Sequence, residues 1–191
     1  MGKQGSFIKR FTDIVISLIV LIVTSPLMLI CMAAIRLESE GPAIFVQERM
    51  GKDCKPFKMY KLRGMINNAV NYGPELTQVD DPRLTKTGKL FRRLSIDEIP
   101  QFLNVLLGDM SVIGPRPEIM SIASKYDDFE KKVLMFKPGI TGFSQINGRQ
   151  LLTPNQRVTM EIEYYSKASF WSDLIVLLKT PFVVITNEGN I

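Results

Sequence analysis

Two adjacent carboxylates, Asp97 and Glu98, follow a pair of arginines, Arg92 and Arg93, and precede the loop Gly114-Pro115-Arg116-Pro117. Together they supply a carboxylate nucleophile, a ligand for a hard cation and guanidiniums for phosphate, the parts that phosphoryl transfer uses. In that scheme Asp97 attacks phosphorus and forms an acyl-phosphate, while Glu98 binds Mg²⁺ to neutralise a diphosphate. A helix N-terminus under the pair would keep the carboxylates ionised and attract phosphate. The same residues admit a plainer reading. Ser95 as N-cap and Glu98 at N3 make a capping box, with Asp97 complementing the helix dipole. Arg116 is held between two prolines, which aim it at low entropic cost, as a bidentate phosphate clamp requires. A rigid turn with a solvent arginine has the same sequence. Of the two arginines before the dyad, spacing from Asp97 favours Arg92 as the one facing the site.

Composition narrows the chemistry. The 191 residues contain no histidine, so neither a Ser-His-Asp device nor a His-ligated zinc site exists. Cys31 and Cys54 are the only cysteines, too few for a thiolate cluster or a disulfide framework. Any metal is then a hard cation on carboxylates, for which Mg²⁺ is the natural candidate. A net charge of +5 and a pI of about 9.2 suit phosphate-bearing substrates or anionic lipid. The glycine-containing loops form neither a Walker A nor a dinucleotide fingerprint. With no recognised module among the basic residues, no nucleic acid partner is expected.

The elements that must position these groups are legible in outline. Ile14 to Ile35 runs 22 residues without a charge, roughly 33 Å as a straight helix and enough to cross a bilayer core. Ser25-Pro26 interrupts it near the middle, and Lys/Arg residues flank both ends. Pattern alone favours a plain spanning helix, since proline is common in such helices. Basic residues on both sides suit instead a re-entrant helix-break-helix. Pro42 to Arg63 predicts a hairpin through Gly51-Lys52-Asp53. Met65 to Val70 predicts a short helix, and Thr87 or Gly88 opens another through Leu94. Ile99, Phe102, Leu103 and Leu106 share one helical face. Val112-Ile113 predicts a short strand, Ile119 to Phe136 a mainly helical stretch, and Ile140 to Ile146 a strand or extended segment. Gln145 to Arg149 brings polar groups after it, fit for a nucleotide or for a turn. Thr153-Pro154 is an N-cap with proline at N1. The apolar segment Ser169 to Thr186 predicts an interfacial helix anchored by Trp171, or a core helix. The fold class is therefore α+β, mainly helical with short strands and no internal repeat.

In order along the chain, these motifs resemble the bacterial sugar transferase family, the monotopic phosphoglycosyl transferases. The resemblance rests on Lys9-Arg10 and Asp13, Ser25-Pro26, Lys61-Leu62-Arg63, Asp81-Pro82-Arg83 and Ser95-Ile96-Asp97-Glu98. It continues through Asn104-Val105-Leu106, Gly108-Asp109-Met110-Ser111, Gly114-Pro115-Arg116-Pro117-Glu118, Lys137 to Gly142, Gln145 to Arg149, Tyr164, Ser169 and Asp173-Leu174. It implies a re-entrant membrane anchor over residues 1–36 and a catalytic domain over 37–191 on the cytoplasmic face of the bacterial inner membrane. It further implies that Asp97 takes a phosphosugar from a UDP-sugar with release of UMP, and that polyprenyl (undecaprenyl) phosphate accepts it. Mg²⁺ would sit at Glu98, with Arg92 and Arg116 on phosphates. Lys61, Arg63, Arg149 and Asp173 would frame the nucleotide and the edge of the site. Gly64 stands where the family usually has Thr or Ser, and Thr12 where an aromatic residue is usual. The chain resembles the minimal catalytic form, and homo-oligomer formation is left open. Two other readings keep the dyad: a Mg²⁺-dependent diphosphate hydrolase with water as acceptor, and a membrane-anchored binding module in which the dyad only caps a helix.

Overall fold

The computed structural model describes residues 7–78, 80–148 and 151–186. The apolar segment forms one helix, α1 (Phe7–Glu38), with Pro26 inside it. The expected interruption at Ser25-Pro26 is not seen as a gap in helix. Proline leaves the carbonyl of Ile22 without its backbone donor, and the Ser25 hydroxyl donates to that carbonyl at 2.8 Å instead. Ser-Pro here replaces the missing bond, so the turn stays helical.

Both ends of α1 are fastened to the rest of the chain. Near its start, Arg10 donates to the carbonyls of Val105 and Leu106 at 2.5 and 2.8 Å, satisfying the C-terminal end of α3 (Gln101–Leu107). Buried Asp13 accepts from the Ser111 hydroxyl at 2.8 Å and from Val112 N–H at 3.0 Å. Near its end, Cys31 and Ile35 pack with Ala43, Leu62 and Phe91. The Glu38 carboxylate accepts from the N–H groups of Lys86 and Thr87 at the start of α2 (Lys86–Arg93). Between these attachments Leu18, Ile19, Ile22, Val23, Leu29 and Ile30 are exposed.

The predicted hairpin is β1 (Ile44–Met50) and β2 (Pro56–Leu62), antiparallel with Ile44 opposite Leu62 and Met50 opposite Pro56. The other strand pair among the described residues is parallel: β3 (Ser111–Ile113) beside β4 (Gly139–Thr141). After β4 come α5 (Phe143–Ile146), α6 (Pro154–Lys167) and α7 (Phe170–Thr186). The main core joins β2, α3, β3, α6 and α7 through Met59, Val105, Met110, Val112, Tyr165 and Val176.

Several expectations are corrected. Ile119 to Phe136 is not one helix but α4 (Met120–Ala123) and a separate 3₁₀ stretch, Glu130–Met135. Asp127 breaks the run, because its carboxylate accepts from the N–H groups of Phe129 and Glu130 and starts a new turn. Met65 pairs in a bridge with Leu84 rather than opening a helix, and a 3₁₀ turn follows at Ala69–Tyr72. The strand after Gly139 stops at Thr141, where the Gly142 carbonyl accepts from Gln145 and Ile146 N–H and begins α5. Thr153 caps α6 as its sequence predicts, with a reciprocal bond to Gln156. On α7 the exposed apolar residues Trp171, Ile175, Leu178, Phe182 and Ile185 fall on one helical face. That stripe matches the interfacial helix better than the core helix.

Candidate active site

Ser95 decides between the two readings of the dyad. It adopts a left-handed conformation, φ 55°, and its hydroxyl makes no cap bond to the turn that follows. The capping-box reading is therefore not realised. Ile96–Glu98 is a tight 3₁₀ turn between α2 and α3. A non-glycine residue at positive φ is strained and recurs at functional sites. Here it swings the chain so that the end of α2, the dyad and the hairpin converge.

Glu98 is the hub. Lys61 Nζ on β2 and Arg116 Nη2 in the proline loop both reach Glu98 Oε1, at 3.0 and 3.1 Å. Burial by itself would raise the Glu98 carboxyl, but these two cations outweigh it and hold the group well below the usual carboxylate range. Asp97 is only 7% exposed. Burial, helped by the Glu98 charge, pushes its carboxyl up, against the pull of Lys61, Arg92 and Arg116. The two neighbours are thus driven apart: one a fixed anion, the other a desolvated carboxyl facing three cations. Arg92 is half-buried, donates to Thr77 Oγ1 at 2.8 Å, and lies in the field of Asp97 and Glu98. Arg93 is exposed, so the preference for Arg92 holds. A Cβ added at Gly64 would stand 3.4 Å from Arg92 Nε, so the family's usual Thr or Ser would touch this arginine.

The loop that carries Arg116 is built from below. A Cβ on Gly139 would lie 2.0 Å from the Gly114 nitrogen, so glycine there lets β4 close against the loop. Gly114 N–H donates to Thr141 O, and Gly139 N–H to Pro115 O. Glu118 binds Arg157 at 3.1 Å, and Arg49 donates to Pro117 O at 3.2 Å. One turn along α6, buried Glu161 accepts from the Ser144 hydroxyl and feels the Arg116 N–H. Sequence reasoning missed Glu161, Arg157 and Thr77. Glu161 carries no local signal, since it sits among ordinary helix residues. Glu118 next to Pro117 was a visible hint of an anchored loop.

Lys61, Arg92, Asp97, Glu98 and Arg116 are therefore brought together. Arg63 is not with them: its guanidinium donates to the carbonyls of Ser39 and Glu40 and to the Ser39 hydroxyl, closing the turn after α1. Asp173 pairs with Lys9 at 2.6 Å and ties α7 to α1. Arg149 lies outside the described residues.

The bacterial sugar transferase family matches residues 4–187. A UDP-N-acetylgalactosamine-undecaprenyl-phosphate N-acetylgalactosaminephosphotransferase of Aeromonas hydrophila is 40% identical over 190 residues, 96% of this chain and 45% of that protein. The sugar transferase EpsL of Bacillus subtilis strain 168 is 41% identical over 182 residues, 95% of this chain and 89% of that protein. A UDP-glucose:undecaprenyl-phosphate glucose-1-phosphate transferase of Escherichia coli strain K12 is 38% identical over 199 residues, 99% of this chain and 42% of that protein. The chain spans less than half the length of the first and third of these. With the family matched over nearly its whole length, and the dyad, its cations and the proline loop assembled into one site, this chain belongs to the bacterial sugar transferase family.

Proposed function

We propose that the chain transfers a sugar-1-phosphate from a UDP-sugar to polyprenyl phosphate through a covalent intermediate on Asp97. The observation that carries this reading is the buried Asp97 carboxyl beside a Glu98 held by Lys61 and Arg116. An Asp97 oxygen attacks the sugar-bearing phosphorus of the UDP-sugar. The bond from that phosphorus to the bridging oxygen breaks, and UMP leaves with the electron pair. An oxygen of the acceptor phosphate then attacks the same phosphorus, the acyl-phosphate bond breaks, and Asp97 regains its carboxylate. Arg92 and Arg116 hold phosphate oxygens, and Lys61 keeps the approach to the dyad cationic.

Among the described residues no group of three or more His, Cys, Asp or Glu gathers. The two carboxylates present, Asp97 and Glu98, fit a cation that takes one or two carboxylates and completes its shell from phosphate oxygens and water, as Mg²⁺ does. Glu98, with Asp97 beside it, would hold that ion, whose contribution when bound is to neutralise the diphosphate.

The proposed course of α1 is re-entrant, over residues 1–36, with the remainder on the cytoplasmic face of the bacterial inner membrane. The support is that Lys9, Arg10 and Asp13 at one end, and Ile35 and Glu38 at the other, all bind the same 40–186 region. A crossing helix would put the hydrocarbon, roughly 30 Å thick, between its two ends, so that one body on one face could not bind both. Pro26, where the backbone bond is missing, is the natural point of bending. Thiol labelling of Ile8→Cys and of native Cys54 in sealed vesicles should reach both from one side. Opposite-side labelling refutes the re-entrant course.

The activity is tested by UMP release from a panel of UDP-sugars, with Mg²⁺, with and without undecaprenyl phosphate. One donor should give lipid-dependent turnover that vanishes in Asp97→Asn, and a phosphosugar adduct on Asp97 should be found by mass spectrometry. UMP release indifferent to the acceptor would make the protein a hydrolase instead.

A further inference from the structure

Arg92 lies in the field of the dyad at the end of a long side chain. Among the described residues, Thr77 Oγ1 is the hydrogen-bond partner that fixes its guanidinium, at 2.8 Å, and no carboxylate closes an ion pair with it. Glu98 bonds Lys61 and Arg116 instead. From the side of the chain leaving β2, Gly64 offers no side chain, although a Cβ there would stand 3.4 Å from Arg92 Nε. An arginine loses much rotamer freedom when a ligand fixes it, so whatever holds it beforehand bears on ligand binding.

Thr77 is exposed and lies outside any helix or strand, so its own placement needs a support. That support is the buried pair Asp81 and Arg83, joined by two parallel bonds of 2.8 and 2.6 Å. Arg83 Nη1 donates to Pro74 O at 2.8 Å and to Ala69 O at 3.2 Å, and Asp81 Oδ2 accepts from Gln78 N–H at 3.2 Å. Pro74 and Gln78 bracket Thr77, so the pair clamps the strap 74–78 on both sides of it. Glu75 in the strap also accepts from the Ser121 hydroxyl on α4. Ile66 N–H donates to Arg83 O, and Met65 bridges Leu84, which fastens the pair to the chain leaving β2.

We propose that Thr77 is a positioning residue for donor binding: its hydroxyl, held by the strap on the Asp81–Arg83 pair, orients the Arg92 guanidinium for the diphosphate of the UDP-sugar. The inference rests on the transferase reading above and deepens it. By accepting one N–H from Nη1, Thr77 fixes the plane of the guanidinium and leaves its other donors for phosphate oxygens. The Asp81-Pro82-Arg83 motif then serves the site without entering it, as the pedestal of the strap.

Thr77→Val keeps the shape of the side chain and removes the hydroxyl, whereas Thr77→Ser keeps the hydroxyl. Single-turnover mixing with the UDP-sugar and no acceptor gives a UMP burst whose rate saturates with donor concentration. In Thr77→Val the half-saturating concentration should rise roughly tenfold, the size expected for one hydrogen bond to a charged group. The maximal burst rate should change little, as for a contact that grips donor and transition state alike. Thr77→Ser should keep the wild-type half-saturation, and the melting temperature should hold in both variants because the side chain is exposed. In an Arg92→Lys background, which lacks Nη1, adding Thr77→Val should have no further effect. Wild-type half-saturation in Thr77→Val overturns the assignment, and so does a full further rise when Thr77→Val is added to Arg92→Lys. A wild-type protein that gives no burst with any UDP-sugar would instead refute the transferase reading, and this inference with it.

Discussion

Glu161→Gln probes how the Arg116 loop is supported. Glu161 is buried on α6, accepts from the Ser144 hydroxyl and N–H, and lies against the Arg116 N–H. Burial pushes its carboxyl from the ordinary 4.5 up to about 7, and the bonds from Ser144 and the nearby Arg157 only partly oppose it. Because the folded value is raised, between about pH 4.5 and 7 the folded protein keeps a proton that the unfolded chain has lost. Stability therefore declines as pH rises through that window, and the loss is complete above it. A rise of about two and a half pH units, at about 1.4 kcal/mol each, amounts to ~3 kcal/mol. Glutamine stays neutral and keeps an acceptor for Ser144, so the variant should lack this slope. Urea denaturation followed by far-UV circular dichroism at pH 5 and pH 8 measures it. The wild type should lose most of ~3 kcal/mol relative to the variant between those pH values. Parallel stability curves would show that Glu161 is not the desolvated acid of the fold and would refute the reasoning.

Lys61→Met removes the largest opponent of burial at Asp97, so the acidic limb of the pH–rate profile for the UMP burst should move to higher pH. An unmoved limb would place Lys61 outside the field of the nucleophile. Arg63→Ala should lower the melting temperature by freeing the turn at Ser39 and Glu40, while leaving the KM for the UDP-sugar unchanged; a raised KM would return Arg63 to the nucleotide. Asp13→Ala strands the Ser111 hydroxyl and the Val112 N–H in a buried position. About 1–3 kcal/mol should be lost for each, read as a fall in the urea midpoint, and a neutral effect would mean that α1 is not held there.

What was legible in the sequence follows from what is local. The hairpin shows in Gly51-Lys52-Asp53 between two strand-like runs, and α6 in Thr153-Pro154, because turns and caps are specified within four residues. The cluster around the dyad was legible for a different reason: acids and arginines in a stiff, proline-marked frame have few other uses in such numbers. What escaped depends on contacts far apart in the chain. Ser95-Ile96-Asp97-Glu98 matches a capping box letter by letter, yet Ser95 is left-handed with no cap bond, and Glu98 is bonded instead by Lys61, 37 positions earlier, and by Arg116, 18 later. Arg63 and Asp173 were expected to frame the nucleotide and the edge of the site, and tertiary packing spends both on fastening α1. The same packing gives those motif residues a common purpose. Lys9, Arg10, Asp13, Glu38, Arg63 and Asp173 all fix one apolar helix at both ends to the body that carries the dyad. A reaction between a water-soluble nucleotide sugar and a membrane lipid needs its nucleophile at a set height above the bilayer. In the function proposed above, the polar residues that fix α1 would set that height, and the dyad turn would supply the chemistry there.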